Sequence, residues 1–287
     1  MPEGFFSAAA LLPEVLRRPA LALPEATRRR AEEVRLRRGF PPTLLLPEGE
    51  RPFSGSVCGA EDISFVLEQA TRCSLHAHVQ ELRRGYLAAP GGVRVGVCGT
   101  AVTEQGIVTL RDYSSLALRV PRQVIGAGAQ AAETVFGESA LIVSPPGGGK
   151  TTFLRELARF SSCRGRRVCV VDERGELAAA WEGAAQFDLG QCTDVLTGAG
   201  KSEGATLLLR AMNPEIVVMD ELATQADAGA VLSLLGCGVR VCATAHGEGS
   251  AVLERPALRA LGEARAFRFL VTIRGRGTGR RYAVEEL

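Results

Sequence analysis

The chain has little lysine, few aromatic residues and almost no net charge. Of its 34 basic residues only Lys150 and Lys201 are lysines, aromatic residues make up 5%, and the formal net charge is +2. Balanced charge gives no global field that would attract nucleic acid, and few aromatic side chains are present to stack on bases. The composition therefore disfavours a protein that works on nucleic acid. Local arginine clusters at "RRRAEEVRLRRG" (28–39) and "RGRGTGRR" (274–281) are interpreted as solvated faces.

Long apolar runs and closely spaced cysteine pairs are also missing. No run approaches the roughly 18 to 20 residues that cross a bilayer, and the first residues, broken by proline and glutamate, make a poor secretory signal. None of the eight cysteines forms a C-x-x-C pair, and most have apolar neighbours in the sequence, which predicts buried thiols in a reducing compartment. We therefore expect a cytoplasmic protein, at most peripheral to a membrane.

The length of 287 residues suggests two domains, and the first 122 residues predict a small α+β domain. Apolar residues recur at helical spacing over 5–38, with interruptions at prolines, and short strands follow at "EVRLRRG" and "PTLLLPEG". A helix with a break near Ser74 is predicted over 61–84. The stretch 85–112 predicts three strands joined by two turns.

A different pattern begins after Pro121 and predicts an α/β domain over 123–287. The short β-branched runs "ALIV", "RVCVV", "EIVVMD" and "VRVCATA" alternate with segments of helical spacing at 150–162, 203–212 and 225–235. Such alternation builds a parallel sheet that is covered on both faces and binds ligands at the C-terminal ends of its strands. Functional side chains are therefore expected directly after these runs.

The stretch "SPPGGGKTT" predicts a phosphate-binding loop between a strand and a helix. It fits G-x-x-x-x-G-K-[ST] except at the first position, where Ser144 replaces glycine. The three glycines let backbone N–H groups approach a polyphosphate, and the following helix adds its free N–H groups. The ammonium of Lys150 can reach the phosphates, and the hydroxyl of Thr151 suits Mg²⁺. The predicted nucleotide contacts are Ser144, Pro145, Pro146, Gly147, Gly148, Gly149, Lys150, Thr151 and Thr152.

Two of the predicted strands end in an Asp-Glu pair. "EIVVMDE" carries Asp220 and Glu221, a pattern known as Walker B, and "VCVVDERGE" carries Asp172 and Glu173. Nucleotide hydrolysis needs a carboxylate that holds Mg²⁺ and a group that positions the attacking water. We therefore predict Thr151, Asp220 and Asp172 as metal ligands, with Glu221 and Glu173 as the groups that act on the water.

The chain contains three histidines, of which one is a candidate for the site. His246 follows "VRVCATA" at the ligand edge of the predicted sheet, where a neutral imidazole could contact the γ-phosphate. His76 and His78 stand two positions apart on a predicted helix and therefore point to different faces. We predict that these two are not ligands.

Taken together, "SPPGGGKTTFLRELAR", "VVDERGELAA", "TDVLTGAGKSEGATLLLRAMNPEIVVMDEL" and "ATAHG" resemble the stage III sporulation protein AA family, a relative of the RecA-like type II/IV secretion ATPases. The front half, including "EVRLRRGFPPTLLL", resembles that family as well. The resemblance implies a hexamer-forming ATPase of the mother cell that energises a secretion-like complex of membrane-embedded proteins at the forespore membrane. It also implies an "Asp box" at Asp172 and Glu173 and a "His box" at His246.

Secretion ATPases receive arginines from elsewhere, and the candidates here are Arg111, Arg119 and Arg210. Which of Glu173 and Glu221 orients the water stays open, because some of these relatives keep only the glutamate of the second pair. The leading hypothesis is an ATPase with ATP and Mg²⁺ as its cofactors. The alternatives are a nucleic-acid-linked ATPase of the same fold and a nucleotide switch without hydrolysis, which the two acidic strand ends disfavour.

Overall fold

A computed structural model describes residues 3–74, 78–83, 85–104, 107–275 and 277–287. Within these residues, none of the helices combines the length and the apolar character that a membrane span requires. The chain divides into two units, of which the first comprises residues 1–122 and 179–186 and the second comprises 123–178 and 187–287. The sequence does not predict that 179–186 groups with the first unit.

The first unit contains a six-stranded antiparallel sheet and several short helices. The strand order is β3-β2-β1-β6-β5-β4. The strands are β1 (Glu33–Arg37), β2 (Thr43–Leu46), β3 (Gly49–Pro52), β4 (Tyr86–Ala89), β5 (Val93–Glu104) and β6 (Ile107–Arg119). The helices are α1 (Glu3–Ala10), α2 (Glu14–Leu21), α3 (Glu25–Arg30), α4 (Ala60–Thr71) and α5 (Val79–Arg83).

The first unit follows the predicted α+β organisation, with two corrections. The helical pattern predicted over 5–38 ends at Arg30, because the alternating residues of β1 place every second side chain in the core. Pro19 lies inside α2 and does not break it. The break predicted near Ser74 is confirmed, since α4 and α5 are separate helices.

The second unit is built on a seven-stranded sheet in the order β13-β12-β7-β11-β10-β8-β9. All neighbouring pairs are parallel except β12 with β13. The strands are β7 (Ala140–Ser144), β8 (Val168–Asp172), β9 (Thr193–Thr197), β10 (Ile216–Met219), β11 (Arg240–His246), β12 (Phe269–Arg274) and β13 (Arg281–Glu286). The helices are α6 (Ala129–Thr134), α7 (Lys150–Ser162), α8 (Lys201–Met212), α9 (Gln225–Gly236) and α10 (Arg259–Glu263).

The central strands of this sheet are those that the apolar runs predict. Every residue of β7, β8 and β10 is buried, as expected for strands covered on both faces. Because these strands are parallel, their C-terminal ends lie at one edge of the sheet. That edge carries Ser144, Asp172, Asp220 and His246, which belong to the predicted site.

All eight cysteines are free, but only Cys58, Cys169 and Cys242 are buried. Burial raises the pKa of the Cys169 thiol to about 11 and that of the Cys242 thiol to about 12. The prediction that most thiols are buried is therefore wrong, since the other five lie mainly beside helix ends and edge strands. These exposed cysteines are Cys73, Cys98, Cys163, Cys192 and Cys237.

Candidate nucleotide-binding site

The predicted phosphate loop connects β7 to α7. Ser144 is fully buried, and its hydroxyl donates a hydrogen bond to the carbonyl of Pro145 (2.9 Å). Gly147 and Gly149 have φ angles of 73° and 102°, in the left-handed region that favours glycine. A Cβ atom at Gly148 would lie 2.2 Å from the Ser144 hydroxyl oxygen. The loop therefore accommodates serine at the first motif position because glycine faces it.

The helix that follows the loop begins with its N–H groups uncapped. Gly149 is the residue before α7, and no side chain in the described part of the chain caps this helix. Pro146 is exposed on the loop, and Thr152 is partly exposed in the first turn of α7. Free N–H groups and the positive end of the helix dipole make this terminus suited to an anion.

Lys150 lies at the centre of the site and is only 7% exposed. Its Nζ donates to the Ser144 carbonyl (3.0 Å) and lies 3.0 Å from Nδ1 of His246. Burial lowers the pKa of the lysine, and the negative charges of Asp220 and Glu221 oppose that shift. The ammonium is thus held among neutral acceptors, with two carboxylates nearby.

The hydroxyl of Thr151 meets the carboxylate at the end of β10. Thr151 Oγ1 donates to Asp220 Oδ2 (2.8 Å). The other oxygen, Oδ1, accepts a hydrogen bond from the hydroxyl of Thr244, a fully buried residue of β11. Two hydroxyls from different elements therefore fix the orientation of Asp220. Thr244 lies within the motif "ATAHG", two positions before His246, but the sequence alone predicts no role for it.

Glu221 has a strained backbone and three fixed contacts. Its φ is 55°, unusual for a residue with a side chain, and its N–H donates to Thr244 Oγ1 (2.8 Å). Oε2 accepts from Arg174 Nη1 (2.6 Å), and Oε1 lies 3.2 Å from His246 Nε2. The carboxylate is thereby held beside the phosphate loop. Arg174 is a further contact that sequence reasoning did not identify.

His246 connects Lys150 to Glu221. The lysine ammonium can only donate hydrogen bonds, so Nδ1 of the imidazole must accept. In the neutral ring the proton is then on Nε2, which faces the carboxylate of Glu221. The structure therefore places the predicted histidine between the predicted lysine and one of the two predicted glutamates.

Asp172 is placed differently from its predicted role. Its two oxygens accept hydrogen bonds from the backbone N–H groups of Glu176, Leu177 and Ala178 (2.8 to 3.1 Å), and the residue is 2% exposed. Arg155 donates to two carbonyls of the same loop at 2.7 Å. Burial raises the pKa of Asp172, against the lowering effect of these N–H groups. This geometry favours a structural role for Asp172 over metal binding.

Glu173 is paired with the second lysine of the chain. Lys201 Nζ, at the first residue of α8, lies 2.7 Å from Glu173 Oε2. Both residues line a narrow cleft that also includes Asp220 and Glu221. Both lysines of the chain are therefore in the candidate site. Lysine is rare in this chain, and that rarity is a sequence signal for both lysines. The sequence predicts a role for Lys150 but none for Lys201.

The three predicted arginines lie on surfaces. Arg111 and Arg119 on β6 and Arg210 on α8 are exposed. His78 contacts Glu81 through its Nδ1 (3.0 Å), and His76 lies outside the described residues.

The chemistry of the site suits a polyphosphate with Mg²⁺. The loop offers backbone N–H groups and an ammonium, while Thr151 and Asp220 offer the hard oxygen ligands that Mg²⁺ prefers. No cluster of three His, Cys, Asp or Glu residues suited to a metal occurs in the described chain. Mg²⁺ usually takes most of its ligands from phosphate and water, so one carboxylate and one hydroxyl are sufficient.

Comparison with solved structures shows the fold. The pilus retraction motor PilT, solved with bound ADP, matches with a TM-score of 0.63 at 15% identity, covering 90% of this chain and 79% of PilT. The ATPase DotB of Legionella pneumophila matches with a TM-score of 0.57 at 16% identity, covering 90% and 76%. The predicted fold class, a RecA-like α/β unit with a smaller α+β unit before it in the chain, is confirmed.

Comparison of sequences shows the family. The model of the family "Sporulation stage III, protein AA" matches residues 9–283. Stage III sporulation protein AA of Bacillus subtilis (strain 168) is 36% identical over 282 residues, covering 94% of this chain and 92% of the relative. Both matches extend over nearly the whole chain, which excludes similarity through the phosphate loop alone. The chain therefore belongs to the stage III sporulation protein AA family.

Proposed function

We propose that this protein hydrolyses ATP with Mg²⁺ and that residues 123–287 form its ATPase domain. The observation that carries the proposal is the hydrogen bond between Thr151 and Asp220, which joins the start of α7 to the end of β10 beside Lys150. A P-loop hydroxyl next to a strand-end carboxylate is the arrangement that P-loop NTPases use to hold Mg²⁺. PilT, which has the same fold, binds ADP, and DotB is an ATPase.

Nucleotide binding begins with the phosphates at the start of α7. The loop N–H groups and Lys150 face the polyphosphate, and the ammonium exchanges its weak neutral acceptors for charged oxygens. Because Lys150 is nearly buried, this attraction is less screened by water than at a surface. Bound Mg²⁺, held by Thr151 and Asp220, would neutralise charge on the transferred phosphoryl group.

Hydrolysis requires a group that orients the attacking water, and we assign this role to Glu221. The water oxygen forms a bond to the γ-phosphorus, the bond from that phosphorus to the bridging oxygen breaks, and the water proton passes to Glu221. The contacts to His246 and Arg174 hold this carboxylate in place. Both glutamates pair with a cation, but only Glu221 also contacts His246, which lies 3.0 Å from Lys150, and this favours Glu221 of the two candidates.

We further propose that the protein works as a ring-shaped homo-oligomer, as a hexamer, with membrane-embedded sporulation proteins as its partners at the forespore membrane. Support comes from family membership and from the fold shared with the pilus retraction motor PilT. An arginine from a neighbouring subunit would then complete the site, with Arg111, Arg119 and Arg210 as candidates. Specific activity should rise steeply with protein concentration, and added Lys150→Ala subunits should inhibit more than their mole fraction. The ring is contradicted if specific activity does not change with protein concentration and the Lys150→Ala subunits lower activity only in proportion to their mole fraction.

The experiment that tests hydrolysis is phosphate release from ATP by the full chain, with Mg²⁺ and with EDTA. We expect release only with Mg²⁺, and a strong loss in Asp220→Asn because one metal ligand is removed. Asp194→Asn, at an exposed site on β9, carries the same charge change and serves as the control. No release by folded wild type at any protein concentration contradicts the proposal.

A further inference from the structure

The arginine cluster at 274–281 contains one residue that lies against the phosphate loop. β12 runs parallel to β7, and β13 returns beside β12, so the turn between them lies at the same sheet edge as that loop. A Cβ atom at Gly149 would lie 2.7 Å from both Cζ and Nε of Arg280. Only a glycine allows the guanidinium to approach so closely. The interpretation of this cluster as a solvated face is therefore wrong for Arg280.

Packing next to Arg280 fixes the hairpin on the helix of the phosphate loop. The ring of Tyr282 on β13 lies 5.1 Å from that of Phe153 on α7, measured between centroids. A Cβ atom at Gly128 would lie 2.8 Å from the Phe153 ring and 2.9 Å from the Tyr282 ring. Tyr282, two residues after Arg280, therefore packs against α7 and the residue that precedes α6.

The Nε atom of Arg280 is buried and has no hydrogen-bond partner among the described residues. A buried N–H without an acceptor is costly, so such a group calls for an explanation. Arg28 also has a buried Nε without a partner, but its guanidinium lies over the ring of Phe6 at 5.1 Å. Arg280 instead faces a glycine-rich loop whose chemistry suits phosphate.

We propose that Arg280 is a second phosphate-binding cation of the nucleotide site, supplied by the same chain as the loop. The inference rests on the proposed nucleotide binding and names a group beyond the P-loop motif. Lys150 acts from the start of α7, and Arg280 acts from the β12–β13 turn. A guanidinium can donate two parallel N–H groups to one phosphate, and its unpaired Nε gains an acceptor on binding. The ligand chemistry is a di- or triphosphate, independent of the base.

The test is calorimetric titration of the full chain with ATP and, separately, with inorganic tripolyphosphate. We expect Arg280→Gln to weaken the binding of both ligands about 10-fold or more, the scale of losing a charged hydrogen bond. Arg281→Gln carries the same charge change at an exposed residue, which lies opposite Arg274 on the neighbouring strand. Its affinities for both ligands should stay within about twofold of wild type. Arg280→Lys keeps the charge without the fork and should recover part of the affinity.

Thermal unfolding without ligand separates binding from structure. Arg280→Gln should be at least as stable as Arg281→Gln, because it removes a buried N–H that has no acceptor. Equal affinities of Arg280→Gln and Arg281→Gln for both ligands overturn the proposal, whatever their stabilities. If Arg280→Gln loses affinity for ATP but not for tripolyphosphate, the arginine contacts the nucleoside and not the phosphates, and the proposal is also overturned. If folded wild type binds neither ligand, the proposed nucleotide binding fails as well, which distinguishes the two failures.

Discussion

The two units of this protein differ in where they place charge. In the first unit, arginines and glutamates form pairs near the surface, such as Arg37 with Glu50 and Arg30 with Glu48. The second unit contains buried charged residues, whereas the described part of the first unit contains none. These buried residues are Lys150, Arg155, Glu156, Asp172 and Asp227. Burying a charge is costly unless it is paired or needed for function.

The charged residues of the two units therefore have different roles: those of the first unit lie in ion pairs at the surface, and several of the second unit are buried around the candidate site. Exposed ion pairs contribute little to stability, and they explain why the arginine-rich segment 28–39 does not require a nucleic-acid partner. The buried charges of the second unit are concentrated around α7 and the strand ends, where Lys150 and the fixed carboxylates lie. Removing a buried charge of the second unit should have a large effect on function or stability, whereas breaking a surface ion pair of the first unit should have a small one.

The largest expected effect is that of Lys150→Ala. The side chain contacts only neutral acceptors in the described chain, so the fold should persist while phosphate binding loses its central cation. We expect ATP turnover to be abolished, measured as phosphate release, with an unchanged circular dichroism spectrum. Lys201→Ala removes the other lysine of the candidate site and should cause a smaller loss. Turnover at the wild-type rate in Lys150→Ala would end the P-loop interpretation.

Glu221→Gln should have the next largest effect. The glutamine keeps the size of the side chain but cannot accept a proton, so ATP should still bind while hydrolysis slows about 100-fold or more. Glu173→Gln is the matched control, and we expect a milder change because Glu173 lacks the contact to His246 that holds Glu221 beside Lys150. The measurements are single-turnover rates and ATP affinities. Equal, mild effects at both positions would contradict a single water-positioning glutamate.

Asp172→Asn should reduce stability more than it affects chemistry. The amide nitrogen cannot accept a hydrogen bond, so at least one backbone N–H of residues 176–178 loses its partner. We expect the free energy of unfolding to fall by about 1–3 kcal/mol, measured by urea unfolding with circular dichroism. The exposed control Asp194→Asn should change it by about 0.5 kcal/mol or less. Loss of Mg²⁺-dependent activity without loss of stability would restore Asp172 as a metal ligand.

The smallest expected effect lies in the first unit, at Glu50. Hydrogen bonds from Arg37 and Thr43 lower the pKa of this carboxyl to about 2 from 4.5. Because the folded pKa is depressed, the stabilisation is complete above pH 4.5 and disappears as the pH falls towards 2. Wild type and Glu50→Gln should therefore differ most above pH 4.5 and converge near pH 2.

The measurement is urea unfolding of wild type and Glu50→Gln at several pH values. Unfolding of the first unit can be followed by the fluorescence of Trp181, the only tryptophan of the chain, which belongs to this unit. Nucleotide affinity should be the same in wild type and Glu50→Gln. A large change in ATP binding would break the separation between the two units.

The sequence predicts the centre of the second unit well because the signals there are local. Short β-branched apolar runs such as "ALIV", followed by turn residues, favour a buried strand, and the glycines with Lys150 predict the loop. The strands β9, β12 and β13 are not among the predicted strands. β9 and β13 are edge strands with polar faces, whereas β12 is a buried inner strand whose apolar run "FLV" was not interpreted. Without β12 and β13, the position of Arg280 could not be inferred.

Contacts between distant residues explain what else the sequence did not predict at the site. Thr244 looks like any β-strand threonine until β11 is placed next to β10. Asp172 and Asp220 share the same Asp-Glu pattern, but a turn after β8 brings three N–H groups to the first and the phosphate loop brings a hydroxyl to the second. The role of each of these residues therefore depends on which residues the fold places next to it, and sequence spacing alone does not give these neighbours.

The most direct test of the central claim is a calorimetric titration of the full-length wild type with ATP and Mg²⁺. We expect saturable binding of one nucleotide per chain, because the sequence contains a single P-loop, and loss of that binding in Lys150→Ala. Absence of binding by folded wild type, or equal binding by Lys150→Ala, would contradict a nucleotide site centred on the buried Lys150.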